Sequence, residues 1–311
     1  MRNIHRLTEG AILLAAFTIL LLMTVYVPVL GTVVNFFLAL PFMVFSARNN
    51  RRESFVFLIA SLFLSLIAGS LLALPLTLAY GLTGIVIGDF IRNEKPKQAA
   101  FIAGSITFLI NLVIQYVVSI VFLNMDIIKE SIQLLRESID QSLKIVTSLT
   151  QEPNEAMIQQ FYAAIDLIET LTPTIFVITS FSIVFIIQLV SYPILKRFGI
   201  KVVLGEHFRN FKLPKSMIYY FLIALLANLI IQPESGSYIH LALSNILFIL
   251  LLLIVVQGLS FIWYFSYQKS LSKAVPILVT IAMFLMPLIL YIVWILGIMD
   301  LGFDLRKKLN H

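Results

Sequence analysis

Asparagine and glutamine residues within apolar segments are the residues of this sequence whose chemistry is most informative. Asn111 and Gln115 lie four residues apart, so they share one face of a helix, and Asn35 lies in an earlier apolar segment. An amide in apolar surroundings needs a hydrogen-bond partner, either on a neighbouring helix or in a wet cavity. We interpret these three residues as candidate substrate-binding residues of a cavity that opens outward; the alternative is that each amide only joins two helices. Further amides at comparable positions are Gln188, Asn228, Asn245 and Gln257.

Catalytic and metal chemistry finds little support in the chain. It has no cysteine, only four scattered histidines, and no P-loop, G-x-S-x-G or H-E-x-x-H motif. The neighbouring acid and imidazole of Glu206 and His207 fall in a basic loop, where we expect both to be solvated. No carboxylate lies at the centre of a predicted membrane span, which disfavours ion-coupled transport. The sequence therefore predicts a protein that is not an enzyme, without catalytic residues, a metal site or a cofactor.

The elements that must position the amides are membrane-spanning helices. The chain is 60% hydrophobic and 12% charged, about half the charge of a soluble domain. A helix needs about 20 apolar residues to cross a bilayer, and runs of that length predict an all-α, polytopic membrane helix bundle with about nine, that is eight or nine, transmembrane helices. The predicted spans cover residues 9–27, 30–46, 54–73, 75–91, 99–123, 173–195, 217–232, 239–266 and 274–299.

A long acidic insert, residues 124–172, separates the fifth span from the sixth. Apolar residues recur in it every three or four positions, which predicts an amphipathic helical hairpin broken at Pro153 and lying outside the hydrocarbon. We expect the hairpin to pack on itself or on the rim of the bundle; the alternative is a lid or a partner-docking element. The two apolar stripes contain Ile128, Ile132, Leu135, Ile139, Leu143 and Val146, then Ile158, Phe161, Ile165 and Ile168.

The distribution of basic residues predicts the orientation of the chain in a cell membrane. Basic residues concentrate in alternate loops, above all in 196–216, which places the N-terminus in the cytoplasm and the hairpin outside. The formal charge of +6 therefore indicates basic cytoplasmic loops and not binding to nucleic acid. Nine spans would leave the tail, with Arg306, Lys307 and Lys308, outside against this rule. Either the tail is an exception or one of the last three helices does not cross.

Rows of small residues predict where helices approach closely. Such rows are common in membrane helices, so we expect most of them to mediate packing inside the bundle; the alternative is a surface for a partner. The packing rows are Ser61, Ser65 and Gly69, then Gly84 and Gly88, and a further row consists of Ala11 and Ala15.

Two family resemblances rest on these features. Over its whole length the chain resembles the YybS family of Gram-positive bacterial membrane proteins, through Glu9-Gly10-Ala11, the stretch Ala79-Tyr80-Gly81-Leu82-Thr83-Gly84, the acidic insert and the three-helix end. Residues 5–200 also resemble the substrate-binding S-components of energy-coupling factor importers. The six spans, the A-x-x-x-A row at Ala11 and Ala15 and the glycine-rich helix after Pro75 carry that likeness. It implies a six-helix domain over 1–200, a second domain over 201–311, and partner docking through Ala11 and Ala15.

The sequence thus favours a multi-pass membrane protein that takes part in small-solute uptake with a separate energising partner. The alternative is a membrane scaffold or regulatory protein that binds another membrane protein through loop 196–216 or hairpin 124–172. An intramembrane enzyme ranks last, because no residues can be nominated for its chemistry. The partners implied are the lipid bilayer and an energising transporter module or another membrane protein.

Overall fold

A computed structural model describes residues 2–150 and 155–309, and within these residues every regular element is a helix. The predicted all-α fold is therefore confirmed, while the predicted break at Pro153 lies outside the described residues. The helices are α1 (Arg2–Tyr26), α2 (Pro28–Val34), α3 (Leu40–Arg48), α4 (Arg51–Gly69), α5 (Ala73–Arg92), α6 (Lys97–Leu123), α7 (Ile127–Thr150), α8 (Glu155–Thr170), α9 (Thr172–Arg197), α10 (Ser216–Ile231), α11 (Tyr238–Gln268), α12 (Ala274–Leu285), α13 (Pro287–Phe303) and α14 (Leu305–Leu309). Two 3₁₀ turns, Asn35–Phe37 and Phe208–Asn210, complete the set.

Seven helical segments of the described chain are long and apolar enough to cross a membrane, so the protein is polytopic. Six of them correspond to the first six predicted spans, with α2 and α3 counted together as Pro28–Arg48, and the seventh is α11. The other apolar helices, α10, α12 and α13, are shorter. At 1.5 Å per residue α12 is about 18 Å long and α13 about 25 Å, against a hydrocarbon core of about 30 Å.

Contacts divide the chain into two compact units. The first unit comprises Met1–Leu134 and Ile175–Gly205, and the second comprises Leu135–Thr174 and Glu206–His311. This division differs from the sequence-predicted boundary at residue 200, because most of the hairpin groups with the C-terminal helices. The buried Asn245 of α11 explains the difference, since it accepts from the backbone and hydroxyl of Thr174 at 3.0 and 2.7 Å.

Helix α5 organises the first unit by packing against α3, α4 and α6. Its glycines permit this closeness: a Cβ added at Gly84 would lie 2.6 Å from the carbonyl oxygen of Ala39, and one at Gly88 would lie 2.6 Å from that of Met43. On the side of α4, the buried Ser61, Ser65 and Gly69 face inward, and the Ser65 hydroxyl lies 2.6 Å from that of Thr77. The small-residue rows of α4 and α5 thus lie at helix contacts inside this unit.

Helices α11 and α13 form the centre of the second unit and run parallel to each other. The backbones touch where Gly258 meets Val293 and Gly297. Gln257, in the same turn of α11, contacts Asp300 near the end of α13, and Ser260, later in α11, contacts Arg306 beyond the end of α13. Because only five residues separate the end of α11 from the start of α12, α12 must run back along α11 before α13 can run parallel to it. The end of α13 therefore lies with residues 208–213, at one end of this unit.

The predicted single helix over 274–299 is wrong, because the chain breaks between α12 and α13. Met286 is extended, with φ −128° and ψ 107°, and Pro287 opens α13. Proline has no amide hydrogen to continue a helix, and it disfavours helical geometry in the residue before it. The sequence does not predict this break, because it stays uniformly hydrophobic on both sides of Met286 and Pro287.

Candidate functional site

The second span of the first unit is interrupted near its middle, at Asn35. Helix α2 ends at Val34, a 3₁₀ turn covers Asn35–Phe37, and α3 begins at Leu40 with Pro41 in its first turn. The missing amide hydrogen of Pro41 removes one helical hydrogen bond, so the chain restarts its helix there. The predicted span over 30–46 is confirmed as one helical segment, Pro28–Arg48, which tightens to a 3₁₀ turn at Asn35–Phe37. The backbone of Val34, Asn35, Leu38 and Ala39 keeps right-handed helical geometry. A stretch of 3₁₀ helix inside a longer helix often marks a functional hinge, and Leu38 and Ala39 are fully buried.

Asn35 has an incompletely satisfied amide at this interruption. Its Nδ2 donates to the hydroxyl oxygen of Tyr80 on α5 at 2.6 Å, whereas its Oδ1 is buried without a hydrogen-bond partner among the described residues. Exchanging the two amide atoms would pair the oxygen with the Tyr80 hydroxyl and leave the nitrogen unpaired instead. In either orientation the amide retains hydrogen-bonding capacity.

Tyr80 holds its hydroxyl next to Asn35 through its own packing. Its side chain is buried, and its ring packs edge-on against Phe108 of α6 with the ring centroids 5.5 Å apart. The oxygen accepts from Asn35, and no acceptor for its hydrogen occurs within the described part of the chain. An available donor thus stands beside the available acceptor of Asn35. Tyr80 was not singled out from the sequence as a site residue, because its partner is 45 positions away in the chain.

The other two predicted amides are held by protein carbonyl groups. Gln115 donates from Nε2 to the carbonyl oxygen of Pro75, at the start of α5, at 2.9 Å. Asn111 is buried and donates to the carbonyl of Thr107 in its own helix, also at 2.9 Å. The structure therefore brings Asn35 and Gln115 to different points of α5 and leaves Asn111 bonded within α6. For Gln115 the bond joins two helices, as the alternative interpretation of these amides describes.

Other polar groups of the first unit are buried without partners among the described residues. They lie on α5, α6 and α9, whose buried faces meet where Gly104 packs on Ile87 and Val184. Buried polar atoms normally find a partner, so each unpaired group marks a place where water or a ligand would be stabilised. The atoms are Thr83 Oγ1, Ser105 Oγ, Gln188 Nε2, Ser191 Oγ and the Tyr192 hydroxyl.

The alanine row of α1 is on the outside of the first unit. Ala11 and Ala15 are exposed, together with Ile12 and Ile19 on the same side of the helix. Such a face can contact lipid or another helix, and its small residues let a partner backbone come close. The assignment of Ala11 and Ala15 to partner docking stays a prediction.

An ionic network fixes the helix ends at one side of the first unit. The buried Asp89 of α5 accepts from Arg51 at 3.0 and 2.7 Å and pairs with Arg92 as well. Next to the alanine row, Arg48 pairs with Glu9 at 2.5 Å and donates to the carbonyl of Phe198 at 2.6 Å. These charges hold α1, α3, α4, α5 and the end of α9 in fixed positions around one another.

The second unit contains a buried ionic group that sequence reasoning missed. Asp300, on the last turn of α13, is fully buried, and its Oδ2 accepts from Gln257 at 2.5 Å and from Arg306 at 2.9 Å. Its Oδ1 has no partner among the described residues. The sequence predicts a helix that ends at residue 299 and places Arg306 in the tail, so it does not predict the ion pair of Asp300 with Arg306. The signal that could have indicated this ion pair is Asp300 itself, because it is a carboxylate near the end of an apolar run that continues across Gly297.

This group fastens the segment 208–213 to the helices. Gln257 accepts from the backbone amide of Leu213 at 2.8 Å, and Ser260 donates to the carbonyl oxygens of Phe208 and Phe211 at 2.8 and 2.7 Å. Arg306 donates to the carbonyl of Arg209 at 2.8 Å. We call Gln257, Ser260, Asp300 and Arg306 the polar lock, because together they hold the backbone of this basic segment.

A second, more exposed ion pair lies beside the polar lock. Asp304 pairs with Lys212 and, at 2.6 Å, with Lys215. Hydrogen bonds from these two ammonium groups hold the pKa of the Asp304 carboxyl well below its usual range. Two of the basic residues that suggested a binding loop thus share one acidic partner within the chain.

Comparison with known proteins identifies the family. Residues 15–301 match the family described as "Predicted membrane protein (DUF2232)". The chain belongs to this family. A Bacillus subtilis (strain 168) protein named "Uncharacterized protein YybS" is 31% identical to this DUF2232 chain over 315 aligned residues, which cover the whole of both chains. The resemblance to the YybS family is confirmed by that match, no solved structure matches, and the likeness to S-components stays a prediction.

The described side chains of this DUF2232 protein offer hydrogen bonding and ion pairing. Within residues 2–150 and 155–309, no three His, Cys, Asp or Glu side chains form a group that could hold a metal ion. The interrupted span offers a neutral donor and acceptor at Tyr80 and Asn35. Such a pair suits a neutral solute that carries a hydroxyl or amide group.

Proposed function

We propose that this DUF2232 protein takes part in transport, and that its first unit binds a small polar solute at the interruption of the second span. The observation that carries the proposal is the pair of Asn35 and Tyr80, which has unused hydrogen-bonding capacity where the second span tightens to a 3₁₀ turn. Transporters often form their substrate sites from discontinuous helices near the middle of the bilayer, because the freed backbone and side-chain groups can bind the solute.

The proposed site binds its solute by replacing missing hydrogen bonds. A solute hydroxyl or amide would donate to Asn35 Oδ1 and accept from the Tyr80 hydroxyl, so that each buried group gains the partner it lacks. The unpaired hydroxyls on α5, α6 and α9 extend this polar character toward the other end of the unit. They support a path for a solute or its water along these three helices.

The energy for uptake comes from another protein in this proposal. The sequence has no phosphate-binding P-loop, and the exposed row of Ala11 and Ala15 is suited to close packing against a partner helix. The pair of Glu9 and Arg48 sits beside this row, so partner docking at α1 is mechanically coupled to α3, the helix that restarts after the interruption.

The solute site is tested by ligand-dependent thermal stability. Full-length protein in nanodiscs is screened against water-soluble vitamins and neutral solutes with hydroxyl or amide groups. We expect at least one compound to raise the melting temperature saturably, and we expect Asn35→Ala and Tyr80→Phe to abolish that rise while the matched amide variant Asn228→Ala keeps it. The proposal fails if no compound stabilises the protein, or if the rise survives in folded Asn35→Ala and Tyr80→Phe.

The partner is tested by co-purification from native membranes. We expect the protein to co-purify with an ATPase pair, and we expect Ala11→Leu with Ala15→Leu to remove that pair by filling the row. Ala242→Leu, which enlarges an exposed alanine of α11, is the matched control and should retain the pair. Equal loss or equal retention in both variants would exclude docking through the α1 row.

A scaffold or regulatory role is the second candidate, and the hairpin favours it. Arg136 of α7 pairs with Asp166 and Glu169 of α8 at 2.8 and 3.4 Å, and Tyr162 donates to Asp140, which raises the pKa of the tyrosine hydroxyl. The braced hairpin leaves apolar side chains uncovered, among them Leu135, Ile145, Val146, Phe161, Leu167 and Ile168. An exposed apolar face outside the hydrocarbon is typical of a protein-binding surface.

Two sets of variants separate the scaffold from the transporter. If Asn111→Ala and Gln115→Ala leave the cellular phenotype intact while deletion of residues 124–172 or neutralisation of loop 196–216 abolishes it, the protein acts through a bound partner. If the amide variants of the first unit abolish the phenotype and the neutralised loop does not, solute binding is the function.

A further inference from the structure

An apolar groove with one cation at its edge lies in the second unit, beside the polar lock. Its volume is about 400 Å³, and it runs between α11, α13 and α14. The lining side chains are hydrocarbon or aromatic except for one lysine: they include Phe261, Phe265, Leu296, Leu305, Leu309 and Lys308. A groove of this kind suits a ligand with a long apolar part and a negatively charged head.

Lys308 is the basic residue in the lining of the groove, and three basic residues near it already have acidic partners. Arg306 is paired with Asp300, and Lys212 and Lys215 are paired with Asp304. Among the residues that the structure describes, Lys308 makes no ion pair, and its side chain is exposed. The one unneutralised charge at the groove is therefore free to attract an anion.

Two tyrosines near this groove contact arginine side chains. The guanidinium of Arg209 stacks over the Tyr267 ring at 3.5 Å, and the guanidinium of Arg306 lies 5.3 Å from the centre of the Tyr264 ring. Tyrosines and basic side chains together are typical of the zone where lipid headgroups meet the hydrocarbon. Loop charge predicts that this end of the unit faces the cytoplasm, where the leaflet contains anionic lipids.

We propose that the groove between α11, α13 and α14 binds one anionic phospholipid, with an acyl chain along Phe261, Phe265 and Leu296 and the phosphate at Lys308. The apolar lining accounts for the chain and the unpaired lysine for the choice of headgroup. A peptide fits less well, because the lining offers hardly any polar atoms to the backbone groups of a peptide. The bound lipid holds α14 against α11, and through Arg306 it stabilises the polar lock.

The test compares two lipids that differ only in the headgroup. Detergent-purified full-length protein is titrated with dioleoyl phosphatidylglycerol or dioleoyl phosphatidylcholine, and bound lipid is counted by native mass spectrometry. We expect one phosphatidylglycerol to remain bound with at least fivefold preference, and we expect higher salt to reduce that preference. Lys308→Gln should remove the preference, whereas Lys307→Gln, an exposed neighbour outside the groove, should keep it.

A second measurement places the acyl chain. Because the native chain contains Trp263 and Trp294, quenching by phosphatidylglycerol with brominated chains is compared between Phe265→Trp and the parent. Phe265→Trp should show additional quenching, and Lys308→Gln should weaken that additional quenching at a given lipid concentration. Equal binding of both lipids, equal effects of Lys308→Gln and Lys307→Gln, or unchanged quenching in Lys308→Gln would each overturn the proposal. Displacement of the lipid by a co-purifying peptide would assign the groove to a protein partner instead.

Discussion

Replacing Asp300 with asparagine should release the segment 208–213 from the second unit. The change keeps the shape of the side chain but leaves the guanidinium of Arg306 without its counter-ion in a site where Asp300 is 0% and Arg306 10% exposed. Removing one partner of a buried ion pair costs about 3–5 kcal/mol. Because Arg306 retains its bonds to Ser260 and to the carbonyl of Arg209, we take the lower end, about 3 kcal/mol. At about 1.4 kcal/mol per factor of ten, that is roughly a 100-fold rise in local opening.

The opening can be read with a single thiol, because the native chain contains no cysteine. Leu213 is buried and its amide donates to Gln257, so Leu213→Cys reports when this segment detaches. We expect maleimide to label this cysteine roughly 100-fold faster in the Asp300→Asn background, by the same conversion. Asp300→Asn combined with Arg306→Gln should recover much of the protection, because no uncompensated charge remains.

Asp304→Asn is the matched control for this experiment. It removes a carboxylate four residues from Asp300 whose ion pairs are more exposed, and exposed pairs contribute less. If Asp300→Asn labels at the parent rate, or no faster than Asp304→Asn, the polar lock does not hold the segment and the reasoning is refuted.

Three further predictions follow from the structure. Gly84→Ala should lower the melting temperature strongly, because the new Cβ would lie 2.6 Å from the Ala39 carbonyl oxygen, whereas Gly302→Ala, with its nearest neighbour at 3.7 Å, should change it little; equal shifts would refute the close α3–α5 contact. The difference in melting temperature between wild type and Asp304→Asn should be constant from about pH 5 to 8 and vanish only in stronger acid. The pKa of Asp304 is lowered in the folded protein, so its contribution to stability is present above the pKa of the unfolded chain and is lost as the pH falls through the pKa of the folded state. Loss of the difference near pH 7 would contradict this prediction. Cysteines at Glu206 and Leu309 should be labelled from the same side of the membrane by an impermeant maleimide, since residues 206–213 and the end of α13 lie together; labelling from opposite sides would contradict the parallel arrangement of α11 and α13.

The long spans were predictable because their physics is local. The run from Lys97 to Leu123 carries enough apolar residues to cross a bilayer whatever it packs against, and the same holds for the other long helices. The hairpin was predictable from its helical period, and Ile132 and Ile165 of its two stripes are indeed buried. The break before Pro287 was not predicted, because the hydrophobicity of the sequence does not change across it.

The candidate sites depend on partners that are distant in the chain. Asn35 could be nominated from its polarity alone, but its partner Tyr80 lies 45 residues away and became visible only once α5 was placed against the second span. Asp300 was hidden for the same reason, because Gln257 is 43 residues away and the reversal at Pro287 decides that the two meet. Sequence pattern can thus indicate which groups need a partner, whereas packing decides whether they find one.

The parallel course of α11 and α13 has a consequence for how the protein is made. Helix α11 is the last described helix that is long and apolar enough to cross a membrane by itself, so we expect the shorter α12 and α13 to insert as a hairpin against it. Arg306 leaves the ribosome 97 residues after Arg209, the residue whose backbone it binds. The segment 208–213 is therefore synthesised well before the residue that binds it. A nascent chain that ends before Arg306 would lack this hydrogen bond and would expose the segment to the quality-control machinery of the cell.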